Sequence, residues 1–354
     1  MSASSPPPSA RLAARPSRAT GRVTLADVAR QAGVSPITAS RALRGERGVA
    51  PELVARVVAA RDALGYVPDP AARALASRTS THVGVLVPML TNLLFVDLLD
   101  AAQQTLRESG YQTLVGVTHY DPVQEEGLLR EQLAHRPAGL LLTGLAQSAG
   151  ARALLAASGV PYVHMMELAP PARARASAFC VGFSQQEAAS ALTRHLLAGG
   201  RRRIAFVAVQ LDARTLQRRE GWRQALAEAG VSSAGLSFED ARPSSMALGA
   251  EWLERIAGQH PGVDAIFFCN DDLAQGALLA ARRLDIAVPK RLAVAGFNDL
   301  AGGDQFWPPL TTVRTPRRAI GETAATMLVQ AMRGQPPEPA CVDLGFELVI
   351  RESA

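Results

Sequence analysis

The chain has 354 residues, of which 48% are apolar, and a formal net charge of +5. This length allows two or three domains, each with its own core, and no apolar run is long enough to span a bilayer. The three cysteines (Cys180, Cys269 and Cys341) are far apart, without the spacing of a zinc site or a disulfide framework, and the N-terminus has no apolar signal segment. These features exclude a membrane partner and a resident metal, and they predict a protein of the reducing cytoplasm.

The positive charge is concentrated at the N-terminal end. The first 80 residues contain twelve arginines and five acidic residues, a charge of +7, so the remaining residues carry −2. A basic segment of this kind is typical of binding to a polyanion, although part of the charge could simply keep the chain in solution. The composition of residues 1–22, rich in Pro, Ser, Ala and Arg, predicts a disordered basic tail.

Residues 23–43, with the sequence VTLADVARQAGVSPITASRAL, predict two short helices joined by a tight turn. Thr24 begins the first helix with the spacing of a capping box. Gly33 provides a left-handed residue for the turn. Ser35 caps the second helix, and Pro36 occupies its first position, where the missing N–H costs nothing.

The second helix has an outer face that suits DNA. Ile37, Arg41 and Arg44 share that face, and an arginine-bearing helix after a tight turn fits the major groove. A third helix beginning at Pro51 completes a small all-α headpiece over residues 23–69. This pattern favours a DNA-reading helix-turn-helix, and the alternative is a helical hairpin whose arginines are merely solvated.

The segment after the headpiece is a short helix on which a switch could depend. Residues 70–80 provide barely two helical turns, too few to repay the cost of helix nucleation in water. We therefore expect this hinge helix to fold only where a second copy and DNA stabilise it.

From residue 81 the pattern changes to apolar strands alternating with helices. Continuous apolar strands predict parallel sheets covered on both faces, here in two doubly wound lobes with a ligand cleft at the strand ends. We assign the first lobe to about residues 81–165 and 317–335, and the second to about 166–312 and 340–354.

The helix-turn-helix, together with the later motif LGYVPDPAARALA, closely resembles the headpiece and hinge of the LacI/GalR family of bacterial transcription regulators. The resemblance covers nearly everything after the first 22 residues, and the motifs LDART, VPMLTN, GYQTL, VGF and DLGF are similar to the gluconate-operon repressor branch. It implies a headpiece and hinge helix followed by an α/β sensor resembling periplasmic binding proteins. The family also implies a homodimer on operator DNA, and a chain ending at Ala354 without leucine heptads favours a dimer over a tetramer.

The resemblance implies DNA contacts for eight residues. Arg41 would read a base edge, most plausibly guanine, while Pro36 and Ile37 would make apolar contacts that vary with the operator. Leu75 would wedge into the minor groove, or it would pack only between paired hinge helices. The full set is Thr24, Ser35, Pro36, Ile37, Thr38, Ser40, Arg41 and Leu75, where the hydroxyl groups would bind phosphates and Ser35 and Pro36 also cap the helix.

The resemblance, together with the carboxyl ends of the predicted strands, indicates which residues form the effector site. In the family, the arginine at the position of Arg218 clamps a sugar, and Asn270 should bind hydroxyls while Asp271 holds the geometry. Whether Arg214 faces the cleft is left open, and a lone histidine such as His164 is more often structural. The candidate residues are Asn92, Phe95, His164, Arg214, Arg218, Asn270, Asp271 and Asn298.

Two departures from neutral-sugar relatives point to a sugar acid. Asn298 stands where many of them have Asp, and Pro243–Ser245 lacks an aromatic residue that would stack on a pyranose ring. An open-chain polyhydroxy carboxylate, gluconate or a related aldonate or ketogluconate, therefore fits best. Ser184–Gln185 departs from that branch, where Asp–Asn is usual, so another sugar or a sugar phosphate, or a corepressor in place of an inducer, remains an alternative.

Other classes of function explain less of the chain. A solute-binding protein would use only the sensor, and it would need an export signal. An enzyme on this fold would need a phosphate-binding glycine loop or a nucleophile and base, and the sequence has no GxGxxG after a strand, no Walker motif and no GxSxG. The sequence therefore predicts a sugar-responsive repressor without a cofactor, and not an enzyme.

Overall fold

The computed structural model describes residues 23–67, 80–169 and 179–354. The chain divides after Thr79 into two compact units, described separately below. The predicted N-terminal tail lies outside the described ranges, as does all but the last residue of the predicted hinge helix, including Leu75. Within the described ranges, no helix combines the length and the apolar character needed to cross a membrane.

The first unit consists, in its described part, of α1 (Leu25–Ala32), α2 (Pro36–Leu43) and α3 (Pro51–Leu64). The predicted capping box is present, because the Thr24 N–H donates to Asp27 and the Asp27 N–H donates to the Thr24 hydroxyl. The three helices pack around one small apolar core. Its buried members are Val28, Ala29, Ala32, Ala39, Ala42, Val57 and Ala60.

The turn between α1 and α2 requires a glycine for two reasons. Gly33 has φ of 63°, in the left-handed region that side chains disfavour. A Cβ there would also lie 2.7 Å from Nη2 of Arg56, which donates a 2.5 Å hydrogen bond to the Ala32 carbonyl. That bond satisfies a free carbonyl at the end of α1 and ties α3 to it.

The second unit contains two parallel sheets, one in each lobe. In the described residues the strands of the first sheet are β1 (His82–Val87), β2 (Gln112–Val117), β3 (Gly139–Thr143), β4 (Tyr162–Met165), β5 (Phe179–Gly182) and β11 (Cys341–Asp343). They lie in the order β11-β5-β4-β3-β1-β2. The helices of this lobe are α4 (Leu93–Glu108), α5 (Pro122–Ala134), α6 (Ala149–Ser158) and α11 (Arg317–Met332).

The second lobe is built around a four-stranded parallel sheet of β6 (Ile204–Val209), β7 (Ser237–Asp240), β8 (Ala265–Phe268) and β9 (Ala293–Ala295). These strands lie in the order β7-β6-β8-β9. Its helices are α7 (Gln185–Ala198), α8 (Ala213–Glu228), α9 (Met246–Gln259) and α10 (Asp271–Arg283), with a short 3-10 turn at Gly303–Gln305. An antiparallel pair, β10 (Thr312–Arg314) and β12 (Glu347–Val349), completes the described elements. The predicted α/β fold of two doubly wound lobes is confirmed.

The expected lobe boundaries are wrong in two places. Strand β5 pairs with β4 in the first sheet, with Val163 opposite Phe179, so the chain crosses to the second lobe after Gly182 and not near residue 166. Strand β11 also belongs to the first sheet, because it pairs with β5. An apolar pattern identifies a strand but not its neighbour, and these two pairings were therefore not visible in the sequence.

The expectation for the cysteines is also corrected. Cys180 and Cys341 are register partners on β5 and β11, with Cα atoms 4.6 Å apart, and their sulfur atoms form a disulfide. They are separated by 161 residues in sequence, so spacing carried no sign of the pairing. Cys269 is a free, buried thiol.

Candidate DNA-reading surface and effector site

The start of α2 presents a polar cap next to an apolar side chain. Ser35 Oγ accepts a hydrogen bond from the Thr38 N–H at 3.1 Å, and Pro36 occupies the first helical position. Ile37 follows with 73% of its surface exposed. An exposed isoleucine does not stabilise the isolated headpiece, so its position is better explained by contact with an external partner than by internal packing.

A charged network lies along the same side of the headpiece. Arg41 Nε donates to Oε2 of Glu46 at 3.1 Å, and Arg44 Nε donates to the other carboxylate oxygen at 2.6 Å. Arg41 also donates through Nη2 to the Arg47 carbonyl, and Arg44 donates to the Ser40 hydroxyl. One carboxylate therefore holds two arginines of the predicted reading surface.

Thr24 lies at the N-terminus of α1 with its hydroxyl already engaged. It donates to Oδ2 of Asp27 at 2.7 Å, which fixes the rotamer of the threonine. The described residues thus place seven of the eight predicted DNA-contact residues in the headpiece, and the eighth, Leu75, lies outside the described ranges.

In the sensor, the central feature is a buried arginine held by uncharged partners. Arg218, 3% exposed, donates through Nε to Oε1 of Gln185 at 2.8 Å. Its Nη1 donates to the Cys269 carbonyl at 2.7 Å and to Asn270 Oδ1 at 3.1 Å. The guanidinium also stacks 3.9 Å over the ring of Phe297. Burial lowers the pKa of Arg218 to about 10, and no carboxylate of the described residues forms an ion pair with it.

Two asparagines at strand ends complete this buried cluster. Asn298 Nδ2 donates to Asn270 Oδ1 at 3.3 Å, while its own Oδ1 is buried with no hydrogen-bond partner within the described part of the chain. Asp271 lies beside them but points away, accepting from the Thr312 hydroxyl at 2.6 Å and from the Leu300 N–H at 2.7 Å. Burial raises the pKa of Asp271 to about 6. Both of these contacts are to residues of the second lobe.

Arg214 lies one helical turn before Arg218, on the same face of α8. Its guanidinium pairs with Asp212 at 2.7 Å and lies 5.6 Å from the ring centre of Phe95 and 5.8 Å from that of Tyr120. Burial is the largest single effect on the pKa of Arg214 and acts to lower it, but the combined effects of Asp212, Tyr120 and Glu167 outweigh burial, so the net shift is upward. Its Nη1 is buried and unpaired within the described residues. An arginine of the second lobe thus reaches aromatic side chains of the first.

A cavity of about 240 Å³ opens beside Arg214. Several of its polar lining residues were not predicted: Tyr120, Glu125, Gln147 and Glu167. Glu125 accepts from Gln147 at 3.2 Å, and burial raises the pKa of this carboxyl. These residues come from loops and helix ends of the first lobe, where the sequence has no motif. The only available sign was that Tyr120 and Gln147 follow parallel strands.

Of the eight candidate effector residues, only Arg214 is among the described residues that line this cavity. His164 lines a second cavity of about 250 Å³ with Arg152 and Tyr162, and its Nδ1 lies 2.8 Å from the Gly144 carbonyl. Burial lowers the pKa of His164 to about 4, so the ring is neutral at physiological pH. Asn92 caps α4 by accepting from the Leu94 N–H. Both residues thus have contacts that are typical of a structural role.

These two units define a class of protein, a DNA-binding regulator joined to a two-lobed small-molecule sensor. Residues 24–69 match the model of bacterial regulatory proteins of the lacI family, and residues 193–354 match a periplasmic binding protein-like domain. The HTH-type transcriptional regulator GntR of Pseudomonas aeruginosa is 52% identical over 95% of this chain and 97% of that protein. The chain therefore belongs to the lacI family, whose members are transcriptional regulators and not enzymes.

Solved structures agree with this assignment. The crystal structure of the transcription regulator GntR from Chromobacterium violaceum covers 77% of this chain and 98% of its own, with 48% identity and a TM-score of 0.74. The lac repressor dimer bound to operator and an anti-inducer covers 94% of this chain and 99% of its own, with 25% identity and a TM-score of 0.80.

Proposed function

We propose that this regulator is a repressor of sugar-acid catabolism genes, released from its operator by gluconate or a related aldonate. The observation that carries the proposal is the buried guanidinium of Arg218, which donates hydrogen bonds to neutral acceptors while Asp212 acts on it only at longer range. A buried charge without a direct ion-pair partner costs on the order of several kcal/mol, and a ligand carboxylate would offset that cost. Charge-assisted hydrogen bonds to a carboxylate are also stronger than those to neutral oxygens.

The polar groups around Arg218 and Arg214 fit the rest of such a ligand. Asn298 Oδ1 is an unpaired acceptor for a hydroxyl, and Arg214 Nη1 is an unpaired donor. Glu125 and Glu167 at the neighbouring cavity offer further acceptors to hydroxyl groups. The cavity volume of about 240 Å³ suits a single sugar chain better than a disaccharide or a nucleotide. The 52% identity to a regulator named GntR supports the same assignment.

For operator binding we propose the roles implied by the exposed face of α2. Arg41 reads a base edge, with its Nη1 group unpaired in the described part of the chain, and Ile37 with Pro36 makes the apolar contact to a neighbouring base. The hydroxyls of Ser35, Thr38 and Ser40, with Thr24 at the start of α1, contact phosphates. The exposure of Ile37 and Arg41 supports these assignments.

We further propose that the chain acts as a homodimer. One headpiece alone buries too little surface for specific binding, and helix-turn-helix dimers read two half-sites. Exposed apolar side chains on α4 and β2 support a partner on the first lobe: Leu93, Val96, Leu114 and Val115. The lac repressor structure, at 25% identity, is described as a dimer. Sedimentation should give a dimer, and a monomer with full operator specificity would contradict the proposal.

Calorimetry with two matched ligands tests the carboxylate. Gluconate and sorbitol share one polyhydroxy chain and differ at the carboxylate, so gluconate should bind at least tenfold more tightly, a difference of about 1.4 kcal/mol. Arg218→Gln should remove most of this preference. Arg223→Gln is the control, because Arg223 lies on the same helix with an exposed side chain paired to Glu220. Equal binding of the two ligands would overturn the sugar-acid assignment, and preferential binding of 6-phosphogluconate would favour a sugar phosphate.

The direction of control has its own test. If gluconate releases the operator, reciprocity requires operator DNA to weaken gluconate binding by the same factor. Tighter gluconate binding to the DNA complex would make the ligand a corepressor.

A further inference from the structure

The disulfide between Cys180 and Cys341 occupies an unusual place in the sensor. It joins β5 to β11, the edge strand of the first sheet, and β11 has only three residues. Backbone hydrogen bonds on either side hold the same strand: the Cys180 N–H donates to the Ala340 carbonyl, and the Leu344 N–H donates to the Gly182 carbonyl, both at 2.9 Å. So short an edge strand has few other bonds to keep it in place.

Both bridged strands lead directly into the second lobe. Phe183 follows β5 and Phe346 follows β11, and the rings of these two residues lie 6.5 Å apart. The disulfide therefore ties together two of the segments along which one lobe is joined to the other. Any change in the spacing of β5 and β11 would be passed to the cleft.

A short path connects the disulfide to Arg218. Gln185 lies five positions after Cys180 at the start of α7, and it accepts the hydrogen bond from Arg218 Nε. The Gln185 amide also donates to the Met166 carbonyl at 3.0 Å, next to β4. The position of β5 thus sets the position of a residue that holds the buried guanidinium.

We propose that Cys180 and Cys341 form a reversible redox site, with a small disulfide such as oxidised glutathione as the oxidant. Chromosomal DNA lies in a compartment where thiol systems keep most cysteines reduced, and disulfides found there are usually redox-responsive. A regulator whose function requires contact with DNA is therefore exposed to both states of this pair. The sensor then has two inputs, a small-molecule effector and the thiol–disulfide balance.

The exchange is balanced without a further reactant. The Cys341 thiolate attacks one sulfur of oxidised glutathione, forming a mixed disulfide and releasing one glutathione thiolate. The Cys180 thiolate then attacks the Cys341 sulfur and releases the second glutathione. The two protons lost by the protein thiols are taken up by the glutathione thiolates, so the protein loses two electrons and glutathione gains them. Cys341 reacts first because it is half-buried, whereas Cys180 is fully buried.

The oxidised state fixes the edge strand, and the reduced state frees it. Oxidation should slow hydrogen exchange of the Leu344 amide, whose bond to Gly182 depends on β11 staying paired. Oxidation should also tighten gluconate binding, because the segments that follow β5 and β11 into the second lobe are already ordered before the ligand binds. The expected increase in affinity is about fivefold or more, which is the lower end of ordinary coupling between two sites. This last effect rests on the proposed function, whereas the exchange rate does not.

The experiment uses the full-length protein equilibrated in glutathione buffers of increasing oxidised fraction. After unfolding, thiol counting should change reversibly from three free thiols to one, that of Cys269. The exchange of Leu344 should slow over the same range, and the double variant Cys180→Ser, Cys341→Ser should lose both responses. Three free thiols at every glutathione ratio, or equal exchange rates in the two states, would overturn the proposal. If gluconate binds neither the oxidised nor the reduced protein, the sugar-acid assignment fails. The redox proposal is still tested in that case, because the thiol count and the exchange rate of Leu344 do not depend on the ligand.

Discussion

The Nε of Arg41 donates to Oε2 of Glu46 at 3.1 Å, so the arginine proposed to read a base is oriented before DNA arrives. Glu46 lies in the loop after α2 and also accepts from Arg44 Nε. The Nη1 group of Arg41 has no hydrogen-bond partner in the described residues, so it can donate to one of the two guanine acceptors that an arginine usually contacts. The same carboxylate reduces the positive charge that two adjacent arginines would present to any phosphate.

Replacing Glu46 with glutamine should therefore increase affinity and reduce selectivity. The loss of one negative charge frees Arg44 for a phosphate, which should steepen the salt dependence of binding by about 0.9 in log–log slope per added contact. The free arginine also binds unrelated DNA, so the ratio of operator to random-sequence affinity should fall. Glu52→Gln, which removes the same charge from the first turn of α3, is the control. An unchanged specificity ratio in the Glu46 variant would show that the carboxylate has no part in reading DNA.

Substitution of Arg41 tests the base contact itself. Arg41→Ala should cost about 1–3 kcal/mol of operator affinity and relax selectivity at one base pair in each half-site. Binding to operators changed at every position in turn provides the measurement. Arg61→Ala on α3 removes an equally charged, partly exposed side chain and should leave the pattern of selectivity intact. Uniform weakening across all operators in the Arg41 variant would assign that residue to a phosphate.

The local features of the headpiece could be predicted because short-range physics determines them. Thr24, Ser35 and Gly33 act within four residues of their partners, so capping and turn rules identify them directly. Asn270 and Asn298 were likewise placed together, because the carboxyl ends of parallel strands meet at one edge of a sheet.

Long-range features could not be predicted in the same way. The pairing of Cys180 with Cys341 and the crossing after Gly182 depend on which strands become neighbours, and that is decided by packing of the whole sheet. The lining of the cavity by Tyr120 and Glu125 depends on loops of the first lobe. Arg214 and Arg218 needed the observed register of α8 to show that both lie on one face.

The pH dependence of stability should reveal the buried His164. Its folded pKa of about 4 lies below the ordinary value of 6.5, so between these values the unfolded chain binds more protons. The contribution of His164 to stability is therefore full above pH 6.5 and is lost as the pH falls toward 4, by up to about 1.4 kcal/mol per pH unit. Asp271 acts in the opposite sense, because its folded pKa is raised to about 6 from 3.8.

A histidine variant separates these two contributions. His164→Asn keeps a donor near the Gly144 carbonyl and removes the titration, so urea midpoints should fall less between pH 7 and pH 4.5, about the window of the His164 shift. His135→Asn, at an exposed position, should behave like the parent. If His164→Asn left the change of the urea midpoint with pH unaltered, the pKa of His164 would be the same in the folded and unfolded chain.

Asn298→Asp should remove the preference of the sensor for an anionic ligand over a neutral one. The new carboxylate would lie beside Asn270 and near the Arg218 guanidinium, so it would supply the anion that the proposed ligand provides. Gluconate should bind at least tenfold more weakly, about 1.4 kcal/mol, because its carboxylate now meets a like charge and a neutralised arginine. Sorbitol has no carboxylate to repel and should bind as well as before or better. The side chains are nearly isosteric, and Gln224→Glu on the exposed surface of α8 controls for the added charge alone. Equal weakening of gluconate and sorbitol would indicate a disturbed fold, whereas unchanged gluconate affinity would place the carboxylate away from Arg218.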